Sequence, residues 1–193
     1  MNKENLLTEI SKMSENEREL LSYDTSDVEI LNILAEDEKM CVRKGVAWNE
    51  HTSVGTLEKL SNDEYSEVRT EVAGNKNAPA MILDKLAKDG HEDVRFEVAQ
   101  NKNTSAETLI LLAKDISMGV RSNVARNPNT PPETLALLIK DDEWWVRRAV
   151  ALNKNTPSEL LLKLIKDKNI RISEIAEETL KARKEKSKAC IER

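Results

Sequence analysis

Hydrophobic positions in this chain recur with a fixed period of 26 residues. Each copy opens with Val-Arg, has Val-Ala from the fourth residue after that first valine and Asn at the seventh. At 100° per residue both valines and the asparagine lie on one side of a helix. The pattern therefore predicts a helix, here called the VR helix, from about two residues before each first valine to the asparagine. The first valines are Val42, Val68, Val94, Val120 and Val146.

A second helix, here called the Leu helix, is predicted after a short Asn-containing turn in each copy. Its start reads Thr130-Pro131-Pro132-Glu133 in one copy, where Thr is expected to cap free N–H groups and Glu to reach back. The asparagines Asn49 to Asn153 are expected to end the VR helix, since Asn tolerates the left-handed conformation and its side chain can also hold a turn. Each Leu helix is expected to be about 11 residues long. The leucines that these helices are expected to bury are Leu57/Leu60, Leu83/Leu86, Leu109/Leu112, Leu135/Leu138 and Leu161/Leu164.

This pattern predicts an all-α solenoid of about five 26-residue two-helix repeats, because helices this short need their neighbours to bury a continuous core. Residues 1–193 are expected to form a single repeat domain. Residues 1–22 form an N-terminal cap with a Ser14/Glu17 capping box, residues 23–169 the repeats, and residues 170–193 a capping helix to about 186 with a solvated tail.

Composition and charge narrow the function classes. Residues 1–96 carry a net charge of −9 and residues 97–193 one of +4, which argues against general nucleic-acid binding but keeps a local basic site open. No apolar stretch reaches the roughly 20 residues of a membrane span, and the N-terminus has no secretion pattern. We therefore expect a cytoplasmic protein that does not bind membranes, with Cys41 and Cys190 as free thiols.

The sequence gives no catalytic or metal-binding motif. His51 and His91 lack companions at ligand spacing, and no phosphate loop or nucleophile elbow is present. We expect no enzyme activity, no metal and no cofactor.

The repeat Val-Arg-x-x-Val-Ala-x-Asn followed by Thr-Pro-x-Glu-x-Leu-x-x-Leu and Asp resembles the leucine-rich repeat variant family over about residues 26–169. The resemblance implies a right-handed superhelix, similar to HEAT and armadillo solenoids, and binding or scaffolding rather than catalysis. The family's founding member carries an iron–sulfur cluster on an N-terminal cysteine cluster, which this sequence lacks.

Two charged columns follow the repeat: arginines after each first valine, and aspartates six residues before each arginine. A ladder for phosphates is one interpretation. The favoured interpretation is a structural ladder, so Arg95→Ala is expected to lower thermal stability more than partner binding. The column members are Arg43, Arg69, Arg95, Arg121, Arg147, Asp37, Asp63, Asp89, Asp115 and Asp141.

The VR face comprises the positions two before, two after and six after each first valine, opposite the valines. The resemblance places this face on the concave side, where it forms a groove unless neighbouring segments cover it. The expected partner-binding residues, an aromatic and arginine composition typical of hot spots, are Trp48, Phe96, Met118, Arg126, Trp144, Arg148 and Leu152. Trp145 is expected to pack between repeats.

The favoured function is non-catalytic binding of a protein or peptide on this concave face by a monomer or weakly self-associating protein. The alternatives are nucleic-acid binding through the basic C-terminal half, as in HEAT-like repair proteins, and a structural role through head-to-tail contact of oppositely charged ends.

Overall fold

A computed structural model describes the backbone of residues 3–191 and the side chains of residues 4–185. Within that range the chain forms fourteen α-helices and no β-strand, which confirms the predicted all-α solenoid class. The helices are α1 (Lys3–Lys12), α2 (Glu15–Asp24), α3 (Val28–Leu34), α4 (Met40–Trp48), α5 (Val54–Leu60), α6 (Ser66–Gly74), α7 (Ala80–Leu86), α8 (Glu92–Gln100), α9 (Ala106–Leu112), α10 (Met118–Arg126), α11 (Pro132–Leu138), α12 (Trp144–Leu152), α13 (Ser158–Leu164) and α14 (Ile170–Ile191).

The helices group into two compact units, unit 1 (Met1–Thr104) and unit 2 (Ser105–Arg193). In unit 1 the VR helices α4, α6 and α8 pack side by side with α2, and the Leu helices α5 and α7 pack between successive VR helices. In unit 2, α10, α12 and α14 pack in the same manner, with the Leu helices α11 and α13 against them. A single domain over 1–193 stays a prediction.

Each unit has the core that the repeat predicts. Both valines of each VR helix are fully buried, and the two leucines of each Leu helix are at most 2% exposed. Each VR helix has nine residues and each Leu helix seven, fewer than the 11 predicted for the Leu helix. Ser14 and Glu17 form the predicted capping box.

The repeat threonine does not cap the Leu helix, so that prediction was wrong. The N-cap is the following residue, for example Ser105, whose hydroxyl accepts from the N–H of Thr108, or Pro131. Thr104 is buried and donates its hydroxyl to the carbonyl of Val98 in the preceding VR helix, as Thr156 does to Val150. The threonine hydroxyl therefore donates to a carbonyl near the end of one helix rather than accepting from the N–H groups at the start of the next.

The repeat asparagine ends the VR helix, but in an extended conformation with φ of −65° at Asn101 rather than the predicted left-handed one. Its side chain explains the geometry: Oδ1 accepts from the backbone N–H of Asn103, which closes a turn. The buried amide nitrogen of Asn101 donates to the carbonyls of Ala73 and Asn75 in the preceding repeat at 2.7 and 3.0 Å. One side chain thus holds its own turn and links two repeats.

The chain ends follow the repeat more closely than the sequence analysis predicted. Helix α2 runs to Asp24, beyond the predicted cap boundary at residue 22, and packs against α4 in the place of a VR helix. Its Ser22 lies at the position of the repeat alanine, where a Cβ on Gly45 would stand 1.8 Å from the Ser22 hydroxyl oxygen. Gly45 is thus required for the close contact between α2 and α4.

Helix α14 also occupies the place of a VR helix and continues through the segment predicted to be a solvated tail. Ile172 and Ala176 are fully buried, 26 residues after the two valines of α12. Thr179 donates to the carbonyl of Ala151, and Arg183 donates to the carbonyls of residues 153, 154 and 156. These two side chains close the last repeat where no asparagine is available. Cys190 lies outside the residues whose side chains are described.

Candidate binding surface

The arginine and aspartate columns form contacts from one repeat to the next. Arg43 Nε lies 2.6 Å from Asp63 Oδ2, and its Nη1 donates to the backbone carbonyl of Asp37, six residues earlier. The side-chain partner is thus the aspartate of the following repeat, twenty residues on. The pairs that follow this geometry are Arg43–Asp63, Arg69–Asp89, Arg121–Asp141 and Arg147–Asp167. Arg18 of α2 makes the same contact with Asp37, which sequence reasoning missed.

These contacts shift the acidity of the aspartates. Burial alone raises the pKa of Asp141, but hydrogen bonds from Arg121 and from the backbone N–H of Glu143, together with the arginine charge, outweigh it. The pKa of Asp141 therefore lies below its ordinary value, and the same balance lowers the pKa of Asp63, Asp89 and Asp167. The arginines are thereby occupied with protein partners. We call these pairs, with the asparagines, valines and leucines, the packing frame.

The VR face of unit 1 contains a cleft of about 740 Å³ between α2, α4, α6 and α8. Trp48, one of the predicted binding residues, is 56% exposed at its edge and its ring centroid lies 5.5 Å from that of Tyr23. Thr70 and Gly74 line the middle. The other ionisable residues that line the cleft are Asp24, Glu50, His51, Glu71, Lys76 and Glu97.

A second cavity of about 350 Å³ adjoins this cleft and shares Thr70, Glu71 and Glu97 with it. It is also lined by Lys44 and by half-buried Phe96, another predicted binding residue. The structure therefore brings Trp48 and Phe96 onto one continuous depression in unit 1.

Negative charge accumulates along this depression. Burial raises the pKa of Glu97, and the nearby charges of Glu71 and Asp93 raise it further. Gln100 donates to Glu97 at 3.4 Å, whereas Lys44 lies 3.6 Å from Glu71 and Lys76 pairs with Glu50. Within the described part of the chain, Glu97 has no ion-pair partner.

The VR face of unit 2 has a different chemistry. Trp144 is half-buried and stacks on Trp145 with ring centroids 3.7 Å apart. Trp145 is 45% exposed, so the prediction that it packs between repeats was wrong. Met118 and Leu152 are 48% and 45% exposed.

The charged residues at the VR-face positions of unit 2 are arginines. Arg126 is exposed and Arg148 half-buried, and among the described residues neither has a hydrogen-bond or ion-pair partner. The face is thus apolar and cationic.

Two features escaped the sequence analysis. Glu71 and Glu97 lie three residues after the first valine, just outside the register that defined the VR face, and the acidity of the N-terminal half was the clue to them. The Leu helices of unit 2 expose apolar side chains in addition to their two buried leucines. These exposed residues are Ile110, Leu111, Leu137 and Leu162.

A metal site and a membrane span are two further possibilities for the described residues. They contain no group of three or more His, Cys, Asp and Glu side chains placed to hold a metal ion. Nor does any of their helices combine the length and the apolar composition that crossing a membrane requires. Cys41 is half-buried, and burial together with the charge of Glu19 raises the pKa of its thiol.

Comparison with known proteins supports the repeat assignment. Residues 119–143 and 144–169 match the family model described as Leucine rich repeat variant. A solved structure described as a leucine-rich repeat variant with a novel repetitive protein structural motif superposes with a TM-score of 0.70 and 26% identity. That match covers 93% of this chain and 72% of the other.

Weaker matches include a designed armadillo repeat protein in complex with peptide (KR)4, with a TM-score of 0.42 and 19% identity over 91% of this chain and 89% of that one. An engineered protein matches with a TM-score of 0.38 and 17% identity over 94% and 96% of the two chains. The comparison with curated proteins gave no significant match. The predicted resemblance is confirmed: residues 119–143 and 144–169 match the leucine-rich repeat variant model, and the chain has the fold of a solved protein built from such repeats.

Proposed function

We propose that this protein is a non-catalytic scaffold that binds a protein or peptide through the VR face. The observation that carries the proposal is the contrast between the two sides of the VR helices. One side is sealed by fully buried valines, while the other presents Trp48, Met118 and Leu152 at 45–56% exposure. Large exposed side chains on helices that are otherwise well packed are typical of interaction surfaces.

The packing frame supports this division of roles. Four of the column arginines that were candidates for phosphate binding are paired with aspartates, so a ligand would have to break an internal contact to reach them. The VR face needs no such rearrangement, because Trp48, Arg126 and Arg148 are accessible as they stand.

Selection from a displayed library of random peptides tests the proposal. We expect the intact protein to enrich peptides, and the Trp48→Ala/Trp144→Ala double variant to lose them. A double variant on the Leu helices, Leu111→Ala/Leu137→Ala, is the matched control, since it removes two exposed apolar side chains outside the VR face. Circular dichroism melting would show that both variants remain folded.

Two outcomes contradict the proposal. Peptides lost in the Leu111→Ala/Leu137→Ala variant but retained in the tryptophan variant would move the binding surface to the Leu helices. Salt-sensitive binding of plain duplex DNA that depends on Arg126 and Arg148, with no enriched peptide, would favour the nucleic-acid alternative.

A further inference from the structure

We propose that the cleft of unit 1 binds an arginine- or lysine-rich segment of a partner protein, with a cationic side chain between the Trp48 indole and the carboxylates of Glu71 and Glu97. The inference rests on the proposed function and adds the chemical class of the partner. It is carried by three independent features of the cleft: its charge, its aromatic edge and its open middle.

Charge complementarity comes first. Asp24 and Glu97 line the cleft without an ion-pair partner among the described residues, and both Glu50 and Glu71 lie there as well. Against these four carboxylates stand Lys76, which already pairs with Glu50, and Lys44, which lies 3.6 Å from Glu71 in the adjoining cavity. Burial and neighbouring negative charge raise the pKa of Glu97, so its ionised form is held at a cost that a bound cation would relieve. Unit 1 as a whole carries 13 Lys/Arg and 22 Asp/Glu.

The aromatic edge selects among cations. The Trp48 indole lies in tilted contact with the Tyr23 ring, so it is supported on one side while the residue remains 56% exposed. The cation–π interaction of a guanidinium or ammonium group with an indole face is strongest when the cation is desolvated. Nearby carboxylates then replace the lost water by pairing with the cation. Arginine suits this geometry better than lysine, because its planar group can stack on the ring and donate two hydrogen bonds to one carboxylate.

The open middle of the cleft depends on Gly74. A Cβ placed there would lie 3.3 Å from Glu97 Oε2, so a larger residue would crowd the carboxylate and fill the space. The cleft of about 740 Å³ continues into the cavity beside Phe96, which suits several residues of an extended peptide rather than one small cation.

Fluorescence anisotropy with a short labelled peptide of alternating Arg and Ser tests the inference on the full chain. We expect binding that weakens at least about tenfold in Trp48→Ala and in Glu97→Gln, since either change removes one side of the proposed cation site. Glu58→Gln is the matched control, because it makes the same charge change on an exposed side chain of α5 outside the cleft. A peptide with citrulline in place of Arg, which keeps the shape and loses the charge, should not bind.

Several results would overturn the inference. Equal loss of affinity in Glu58→Gln and Glu97→Gln would mean that net charge rather than the cleft attracts the peptide. Library peptides that depend on Trp48 but lack Arg and Lys would leave the proposed function standing and refute the partner class. Sedimentation would show whether the protein self-associates. If it does, and Glu97→Gln abolishes the association, the occupant of the cleft would instead be the basic segment 181–188 of a second copy.

Discussion

Units 1 and 2 share one packing frame and differ in the residues that they expose. Three residues after the first valine, unit 1 has Glu71 and Glu97 on its cleft, whereas unit 2 has Asn123 and Ala149, both buried. Around these positions unit 2 presents Arg126 and Arg148, whose guanidinium groups have no partner in the described part of the chain. The same helix geometry therefore offers carboxylates in one unit and guanidinium groups in the other.

The Leu helices show the same division. The two positions between the buried leucines of each helix are charged in unit 1 and mostly apolar in unit 2. The residues compared are Glu58, Lys59, Asp84 and Lys85 against Ile110, Leu111, Leu137 and Leu162. Buried positions are held constant because each repeat must fit its neighbours, and exposed positions are free to differ. Stability is therefore a property of the repeat, whereas the proposed binding specificity is a property of the individual unit.

The largest effect is expected from breaking the packing frame. Arg147→Ala should lower the free energy of unfolding by about 3 kcal/mol and Arg69→Ala by about 2 kcal/mol, because each leaves an aspartate without its cation. The effect is larger in unit 2 since the Arg147 side chain is 6% exposed and that of Arg69 19%. Urea denaturation followed by circular dichroism measures both.

Arg126→Ala is the matched control for this prediction, because Arg126 is exposed and makes no ion pair with the described residues. It should change the unfolding free energy by no more than about 0.5 kcal/mol.

The Arg147–Asp167 pair also makes stability depend on pH, because the folded-state pKa of Asp167 is lowered. Its stabilising contribution is present above the ordinary aspartate pKa of about 3.9 and is lost as the pH falls through the folded-state pKa. Arg147→Ala should reduce that acid dependence. A stable Arg147→Ala variant would refute the structural role of the column.

A smaller effect of opposite sign is expected at the cleft of unit 1. The folded-state pKa of Glu97 is raised, first by burial and then by Glu71 and Asp93, so the folded chain holds this proton more tightly than the unfolded chain. Ionised Glu97 therefore opposes folding as the pH rises above its ordinary value of about 4.3. Glu97→Gln should raise the melting temperature at neutral pH, by no more than about 2 °C, and leave it unchanged well below pH 4.

Glu159→Gln in unit 2 removes an exposed carboxylate and should leave the melting temperature unchanged at both pH values. A Glu97→Gln variant that melts lower than the parent at neutral pH would show that Glu97 stabilises the free protein. The carboxylate would then be part of the packing frame, and the contrast between the two units would disappear.

The sequence was sufficient for the parts of the molecule that repeat. The period of 26 residues located every VR helix and every buried leucine pair, because the same packing constraint acts in each copy. It did not give the partners of polar side chains. Arg43 pairs with an aspartate of the next repeat rather than that of its own, which depends on how repeats stack. Thr104 donates to the helix before it, which depends on how the turn within one repeat folds.

The candidate site was harder to predict for a physical reason. Helix periodicity gives the direction of a side chain, so it identified Trp48 and Phe96 as lying on one face. The depth of the cleft depends on Gly74, which has no side chain to fill it, and on neighbours such as Tyr23 that lie outside the recognisable repeat. The stacking of Trp144 on Trp145 likewise depends on rotamers that no spacing gives.

The smallest effect is expected at Ala78, where the sequence of unit 1 departs from the repeat. The other four copies have threonine at this position, and in Thr52 and Thr156 the hydroxyl donates to the carbonyl of the valine six residues earlier. Ala78→Thr should supply that hydrogen bond to Val72 and raise the free energy of unfolding by about 0.5–1 kcal/mol. Ala78→Val has nearly the same shape without the hydroxyl and should give no gain, which urea denaturation would measure. Equal stabilisation by valine would assign the effect to packing of the side chain. Destabilisation by both would show that the surroundings of Ala78 lack the space that the other copies provide, for example at Thr52 and Thr156.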